Sequence, residues 1–342
     1  MRRKDPRPLQ MLALGSLLVY GSFRLSFDLR PQVLLALATA ALFTQALGSR
    51  LVGVPFEARS AAISTLSLCL LLRTHSVALA ALVAALTIAS KFVLRWRGKH
   101  VFNPTNFGLV AGLTLTGSGP WRAPAGWSLP GLWVSPGQWG SVAFFAFALA
   151  CAGTAVAHRS RRSDVTWAFL GAWSLVLLGR AAWLGDPPAI PLHQLQSGGL
   201  LIFAFFMISD PKTTPDHRRG RVLFAGLTAA IAGFIQFSLY QPHAFLWALV
   251  LATPCVPLLD RLFPAERYRW GCSRSQPFEP TTQEVLHDAA PTPLPNTDAA
   301  SLGPPLAPRP GSSLWAAAAA PGTTARFGLL RLLRRQGRYG PL

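Results

Sequence analysis

Lys99-His100-Val101-Phe102-Asn103-Pro104-Thr105-Asn106-Phe107-Gly108 closes a cationic run (Lys91, Arg95, Arg97) and leads straight into the apolar Leu109-Val110-Ala111-Gly112-Leu113. Two amides, a hydroxyl and a proline therefore sit where the chain passes from a charged surface into an apolar environment. Polar groups in such a place are satisfied internally or used on a ligand. A second stretch of the same character, Ser209-Asp210-Pro211-Lys212-Thr213-Thr214-Pro215-Asp216, follows directly on Phe205-Phe206-Met207-Ile208.

The surroundings of both stretches set the class of the protein. Of 342 residues, 51% are hydrophobic and only 13% charged, and mean hydropathy is positive; this is the composition of an integral membrane protein. The formal charge of +19 sits in the short segments between apolar runs, which is a topology signal and excludes a nucleic-acid-binding face. Cys69, Cys151, Cys255 and Cys272 are far apart and form no CxxC, so neither disulfides nor a cysteine-ligated metal is expected. Met1-Arg2-Arg3-Lys4-Asp5-Pro6-Arg7 resembles the charged start of a signal peptide, but no small-residue cleavage site follows, and the first apolar run reads as a retained helix.

Ten apolar runs are long enough to be helices: Leu9–Phe23, Pro31–Gly48, Ala61–Leu72, Ser76–Ser90, Val101–Thr116, Trp139–Ala157, Val165–Leu184, Ser197–Ile208, Val222–Tyr240 and His243–Leu259. Several fall short of the roughly 20 residues that cross a bilayer fully. With both ends of this ten-helix frame on the inner side, clusters such as Lys91, Arg95, Arg97 and Lys99, or Lys212, Arg218, Arg219 and Arg221, fall inside. Outer segments then hold only isolated arginines such as Arg73 and Arg180, as the positive-inside rule requires. The frame predicts an all-α polytopic protein of the inner (cytoplasmic) membrane with cytoplasmic termini.

The runs divide into a five-helix repeat over 1–116, an outer linker loop over 117–138, and a second five-helix repeat over 139–270. Odd-numbered repeats insert in opposite senses, giving inverted repeats. In each half the third run is short, begins at a serine (Ser60, Ser197) and follows a proline-containing polar segment, the pattern that points to a midplane site. A serine N-cap would aim free amides and a positive dipole end at that site, suiting a phosphate. Residues 271–342 form a Pro/Ala-rich tail expected to be disordered, ending in a basic amphipathic segment over Arg326–Arg335.

The thirteen acidic residues lie in loops or at run ends, which argues against a proton pump or ion-coupled carrier with a midspan carboxylate. The histidines are at interfaces and unpaired, which makes two-histidine haem improbable. No Walker loop, HExxH or GxSxG occurs, and no catalytic or metal-ligating set is assigned. What remains is amide and hydroxyl chemistry: Asn103, Thr105 and Asn106 beside the backbone break at Pro104, and Asp210, Lys212, Thr213 and Thr214 in the second stretch. Both stretches are predicted to face one inner vestibule. Asp216, next to Arg218 and Arg219, reads as a solvated ion pair.

Phe102-Asn103-Pro104-Thr105-Asn106-Phe107-Gly108 and Met207-Ile208-Ser209-Asp210-Pro211-Lys212-Thr213-Thr214-Pro215 together resemble the signatures of RnfD, a membrane component of Rnf electron-transport complexes, and NqrB, its counterpart in sodium-pumping NADH:quinone reductase. The resemblance is closer to the branch known as UnbU-type enediyne biosynthesis proteins, and it covers about residues 5–270. It implies two inverted five-helix repeats, a flavin and electron passage to or from partner redox subunits. Relatives attach FMN through its phosphate to the threonine of a Ser-Gly-Ala-Thr-like motif. Here the corresponding stretch is Leu113-Thr114-Leu115-Thr116-Gly117-Ser118-Gly119-Pro120. FMN or riboflavin is therefore expected to bind noncovalently, with a phosphate at Ser60 or Ser197 and the ring's polar edge near Asn103, Asn106 or Lys212. The alternative is a flavin-free channel or transporter for a small molecule in specialised, enediyne-type metabolism.

Overall fold

The computed structural model describes residues 5–24, 30–117, 131–135 and 142–268. Most of the linker and the whole tail with its basic segment lie outside these residues.

Among the described residues helix covers each apolar run in large part, chiefly α-helix except within Ser197–Ile208, where a π-helical turn takes up nearly half of the run. The first half contains α1 (Arg7–Arg24), α2 (Pro31–Val52), α3 (Ala58–Leu71), α4 (Val77–Val93) and α5 (Pro104–Leu115). The second contains α6 (Val142–Arg159), α7 (Ser163–Leu184), the short α8 (Ala189–Leu195), α9 (Gly198–Ile202) with a π-helical turn over Phe203–Met207, α10 (Arg218–Phe237), α11 (Ala244–Ala252) and, after a 3-10 turn, α12 (Val256–Leu262). Local chemistry sets the ends. Pro31 opens α2 where a missing N–H costs nothing, and Gly53 closes it at φ 73°. Ser76 caps α4 by accepting from the Leu79 amide at 3.2 Å.

Among the described residues four stretches are long and apolar enough to cross a membrane: Pro31–Val52, Ser163–Leu184, Arg218–Phe237 and Ala244–Leu262. A fifth results if α8 and α9 with its π turn, bent by 46°, form one broken span. The chain is an all-α, multi-pass membrane protein. Leu35, Phe43 and Leu175 are largely exposed on its sides, as lipid-facing residues are, and Trp183 and Tyr240 stand exposed at the ends of α7 and α10, where interfacial aromatics belong.

α4 packs between α2 and α5, and α10 between α7 and α11. The α4–α5 approach is close because Gly108 has no side chain: a Cβ there would overlap the Thr87 hydroxyl and come within 3.0 Å of the Val83 carbonyl. In the second half Phe169, Trp173, Phe203 and Phe245 form an aromatic core, with centroids 4.8 Å apart for Trp173–Phe245 and 5.0 Å for Phe169–Phe203.

Two small antiparallel pairs punctuate the helices. β1 (Leu72–Thr74) pairs with β4 (Leu132–Val134), Leu72 opposite Val134. The buried Arg73 guanidinium donates to the Cys69, Leu70 and Leu72 carbonyls, satisfying the end of α3. β2 (Arg95–Trp96) and β3 (Lys99–His100) form a hairpin on the basic face. Its loop residues, Arg97 at φ 49° and Gly98 at φ 79°, take the two positive φ angles that a tight hairpin demands. This hairpin delivers the chain to Asn103.

Candidate functional site

Asn103 and Pro104 start α5 together. The Asn103 side chain accepts from the Asn106 amide at 3.1 Å, capping the helix, while Pro104 occupies its first turn. With the carbonyl so used, the Asn103 amide nitrogen points across the molecule. It donates to the Met207 carbonyl and to Asp210 Oδ2, both at 3.3 Å. The two polar stretches therefore meet. The other Asp210 oxygen accepts from the Lys212 amide at 3.0 Å, and Thr213 and Thr214 donate their hydroxyls to the Asp210 carbonyl, which fixes the turn.

The meeting point opens on a cavity of about 110 Å³ walled by α1, α2, α3, α4, the start of α5, α6 and the segment from the π turn to Lys212. Its polar lining includes Arg7, Glu57, Ser60, Lys91, His100, Asn103, Thr105, Asp210 and Lys212. The Arg7 guanidinium is matched by Asp5 and Glu57. Lys91 is different. Its ammonium, on a residue only 4% exposed, donates to the Ser60 carbonyl at 2.9 Å and hydroxyl at 3.1 Å. No carboxylate of the described residues is in ion-pair contact with Lys91 or Lys212. Burial raises Asp210 above the usual carboxylate range, against the pull of Lys212 and Lys91, and lowers Lys212 below the usual ammonium range. Burial, then Arg95, Lys212 and Lys91, push His100 down to about 3, so its ring is neutral. The His100 Nδ1 is buried without a partner.

A charged network fixes the loops behind the cavity. Lys99 bridges Asp260 at 2.8 Å and Asp216 at 3.1 Å. Arg221 grips Asp164 through Nε at 2.8 Å and a terminal nitrogen at 2.6 Å, and holds the Asp216 carbonyl at 2.6 Å. The solvated pair expected of Asp216 is thereby corrected. Its side chain is 6% exposed and faces Lys99 and Arg162, because the chain turns after Pro215 and carries it under the β2–β3 hairpin.

Ser60, Asn103, Thr105, Asp210 and Lys212 are thus brought to one cavity. Asn106 lies just behind it, donating to the Leu246 carbonyl at 3.0 Å and so tying α5 to α11. Thr213 and Thr214 hold the turn. Ser197 is at the far end of the α9–π segment from Met207, and it does not line the cavity. The expected serine caps are also modified. α3 starts at Ala58 with Glu57 at its cap position, and Ser60, one turn in, is engaged by Lys91. Neither Glu57 nor Ser197 makes a side-chain cap hydrogen bond.

Sequence reasoning singled out Lys91 only as a topology charge. The signal that places it inside is that Ala84, Thr87, Ile88 and Lys91 recur on one helical face and are all buried. Thr253, within Ala252-Thr253-Pro254, is 1% exposed, and its hydroxyl is taken by the Val250 carbonyl. Among the described residues no cluster of three or more His, Cys, Asp or Glu could hold a metal ion. The cavity's chemistry is that of cations, amides and hydroxyls. It suits an anionic group joined to hydrogen-bonding edges.

Residues 129–269 match the NQR2, RnfD, RnfE family. Among curated proteins the chain is similar to three that are each named as a subunit of an ion-translocating oxidoreductase complex. The first, from Shewanella piezotolerans, is 37% identical over 78 residues, covering 23% of this chain and 22% of that protein. The second, from Aeromonas salmonicida, is 34% identical over 102 residues, 29% of each chain. The third, from Sodalis glossinidius, is 36% identical over 95 residues, 28% of each. The matched stretches span between about a fifth and a third of these relatives' length. The likeness reaches the RnfD/NqrB superfamily and does not single out the enediyne branch.

Proposed function

We propose that this chain, a member of the RnfD/NqrB superfamily over its matched residues, is a membrane subunit of an Rnf/Nqr-like electron-transport system that binds FMN or riboflavin noncovalently and passes electrons between partner redox subunits. The observation that supports this most is the crossing of Asn103 to Met207 and Asp210 at a cavity bearing two cations without carboxylate partners. The residues fit the group. Lys91, Lys212 and Ser60 would meet a phosphate, and Asn103, Thr105 and Asp210 would meet the polar edge of the ring. The flavin, when bound, would supply one- and two-electron chemistry. The chain's own part is to orient it and to set the charge around it.

The proposal includes ten spans in two inverted five-helix repeats, with the basic hairpin face and both ends of the helical frame on the cytoplasmic side. Partner subunits would dock on that face. The test is the flavin content of the purified chain and of its Asn103→Ser and Asp210→Ala variants. Loss of flavin from variants that stay folded supports the site; full retention in both refutes it.

One observation favours a second reading, a flavin-free channel or transporter for a small molecule. The cavity, about 110 Å³, is smaller than the roughly 300–1,000 Å³ of most organic-ligand pockets. A colourless chain after mild extraction would favour it.

A further inference from the structure

Beyond Asn103 and Asp210 the cavity continues along one face of α3. Ser60, Ser64 and Ser67 recur at helical spacing and all line it. Ser67 is nine residues past Ala58, hence about 13 Å along the helix at 1.5 Å per residue, a length comparable to half of an apolar layer about 30 Å thick. Gln45 of α2 lines the same cavity and is 1% exposed. Its amide nitrogen donates to the Ser49 hydroxyl at 3.3 Å, while its Oε1 is buried with no partner. Ser64 donates to the Ser60 carbonyl at 3.2 Å, leaving its oxygen lone pairs unspent. A buried acceptor without a donor is costly, so this wall calls for O–H or N–H groups. The space is several times the roughly 10–15 Å³ that one water needs.

The charge is arranged differently from the wall. The Lys91 ammonium holds Ser60, at the first turn of the same serine face, with no carboxylate in contact. Arg7 is neutralised by Asp5 and Glu57, and both Asp210 oxygens already accept from N–H groups. Lys91 and Lys212 against Asp210 leave the lining with a net positive charge. Past the serines the packing is dry: Leu68, Leu70, Val83 and Leu109 are wholly buried.

We infer that this cavity is a water-filled well, entered from the basic face and reaching about mid-membrane, that admits small anions in preference to small cations because of Lys91. The well shares its cavity with the proposed flavin site, so it is probed on flavin-free protein, in which Lys91 and Ser60 face the open cavity.

Cysteine labelling tests it. Ser64→Cys and Ser67→Cys are made in a chain whose Cys69, Cys151, Cys255 and Cys272 are replaced by Ala. The purified protein, reconstituted in lipid vesicles, is treated with two methanethiosulfonates of equal length, one sulfonate-ended and one trimethylammonium-ended. Leu68→Cys on the packed face of α3 is the reference for a closed site. Both serine-face cysteines should react about tenfold or more faster than Leu68→Cys, since a packed thiol reacts only through local opening. Their sulfonate-to-trimethylammonium rate ratio, normalised to a free thiol, should fall about tenfold on Lys91→Met, the order expected for one unit charge near the reagent, and be kept by Lys91→Arg. Rates no faster than at Leu68→Cys, or a ratio unmoved by Lys91→Met, would overturn the inference. Flavin absorbance, read before any flavin is removed, separates this outcome from the cofactor proposal.

Discussion

Removing the Asn103 side chain breaks two separable things. Its Oδ1 caps α5 at the Asn106 amide, and its Nδ2 crosses to Met207 and Asp210. Asn103→Ser keeps a capping oxygen and loses the crossing; Asn103→Ala loses both. Serine and asparagine cap about equally well, and replacing either by alanine costs about 1 kcal/mol. The crossing bonds are long, at 3.3 Å, but one is accepted by a part-buried carboxylate and the other by a buried carbonyl, and leaving such acceptors unmet costs about 1–3 kcal/mol. The expectation for thermal unfolding in detergent is therefore a loss of about 1–3 kcal/mol for Asn103→Ser and about 1 kcal/mol more for Asn103→Ala. A cycle with Asp210→Ala should give a coupling of about 0.5–3 kcal/mol, as for groups in direct contact. If Asn103→Ser unfolds with the wild type and shows no coupling to Asp210→Ala, the two stretches are not held together as described.

Other expectations follow from single contacts. Arg221→Met leaves without its partner the part-buried Asp164 carboxylate that Arg221 grips at 2.6 and 2.8 Å, and should cost about 1.5–3 kcal/mol by thermal unfolding, the worth of hydrogen bonds to a charged group. Gly108→Ala drives a methyl group into the Thr87 hydroxyl and should cost about 1–3 kcal/mol; Thr87→Ala in the same chain should restore most of it if that overlap is the cause. His100 is held at about 3 when folded against about 6.5 when unfolded. Below that unfolded value only the unfolded chain takes the proton, so stability present at neutral pH is lost as pH falls from about 6.5 toward 3. Asp210, raised by burial, works in the opposite sense over this range, so the comparison is with His100→Asn. Between pH 6.5 and 5 the wild type should lose about 2 kcal/mol more than that variant, and equal slopes in the two would contradict a buried neutral ring.

Much of this was legible in the residues. Apolar run length located the helices, because bilayer burial leaves a coarse signal in any chain. Asn103 and Asp210 stood out because amides and a carboxylate beside apolar runs are costly unless used. Distance-dependent features were not legible. Lys91 looked like another interfacial cation, since nothing in the order of residues says that Ser60 waits opposite it. Asp216 looked solvated because Arg218 and Arg219 are its sequence neighbours, whereas its actual partner, Lys99, is more than a hundred residues away. The cap expected at Ser60 is displaced for a local reason, since α3 begins before it, at Ala58, whereas Ser197 does stand at the start of α9.

The central claim is that the two polar stretches form one flavin site in a membrane electron-transport subunit. Its most direct measurement is the visible spectrum of the chain purified in mild detergent, followed by acid denaturation and assay of the released supernatant. The account predicts oxidised-flavin bands at close to one flavin per chain, with the flavin freed on denaturation and largely absent from folded Asp210→Ala. A colourless protein, or a flavin that stays with the denatured chain, would contradict it.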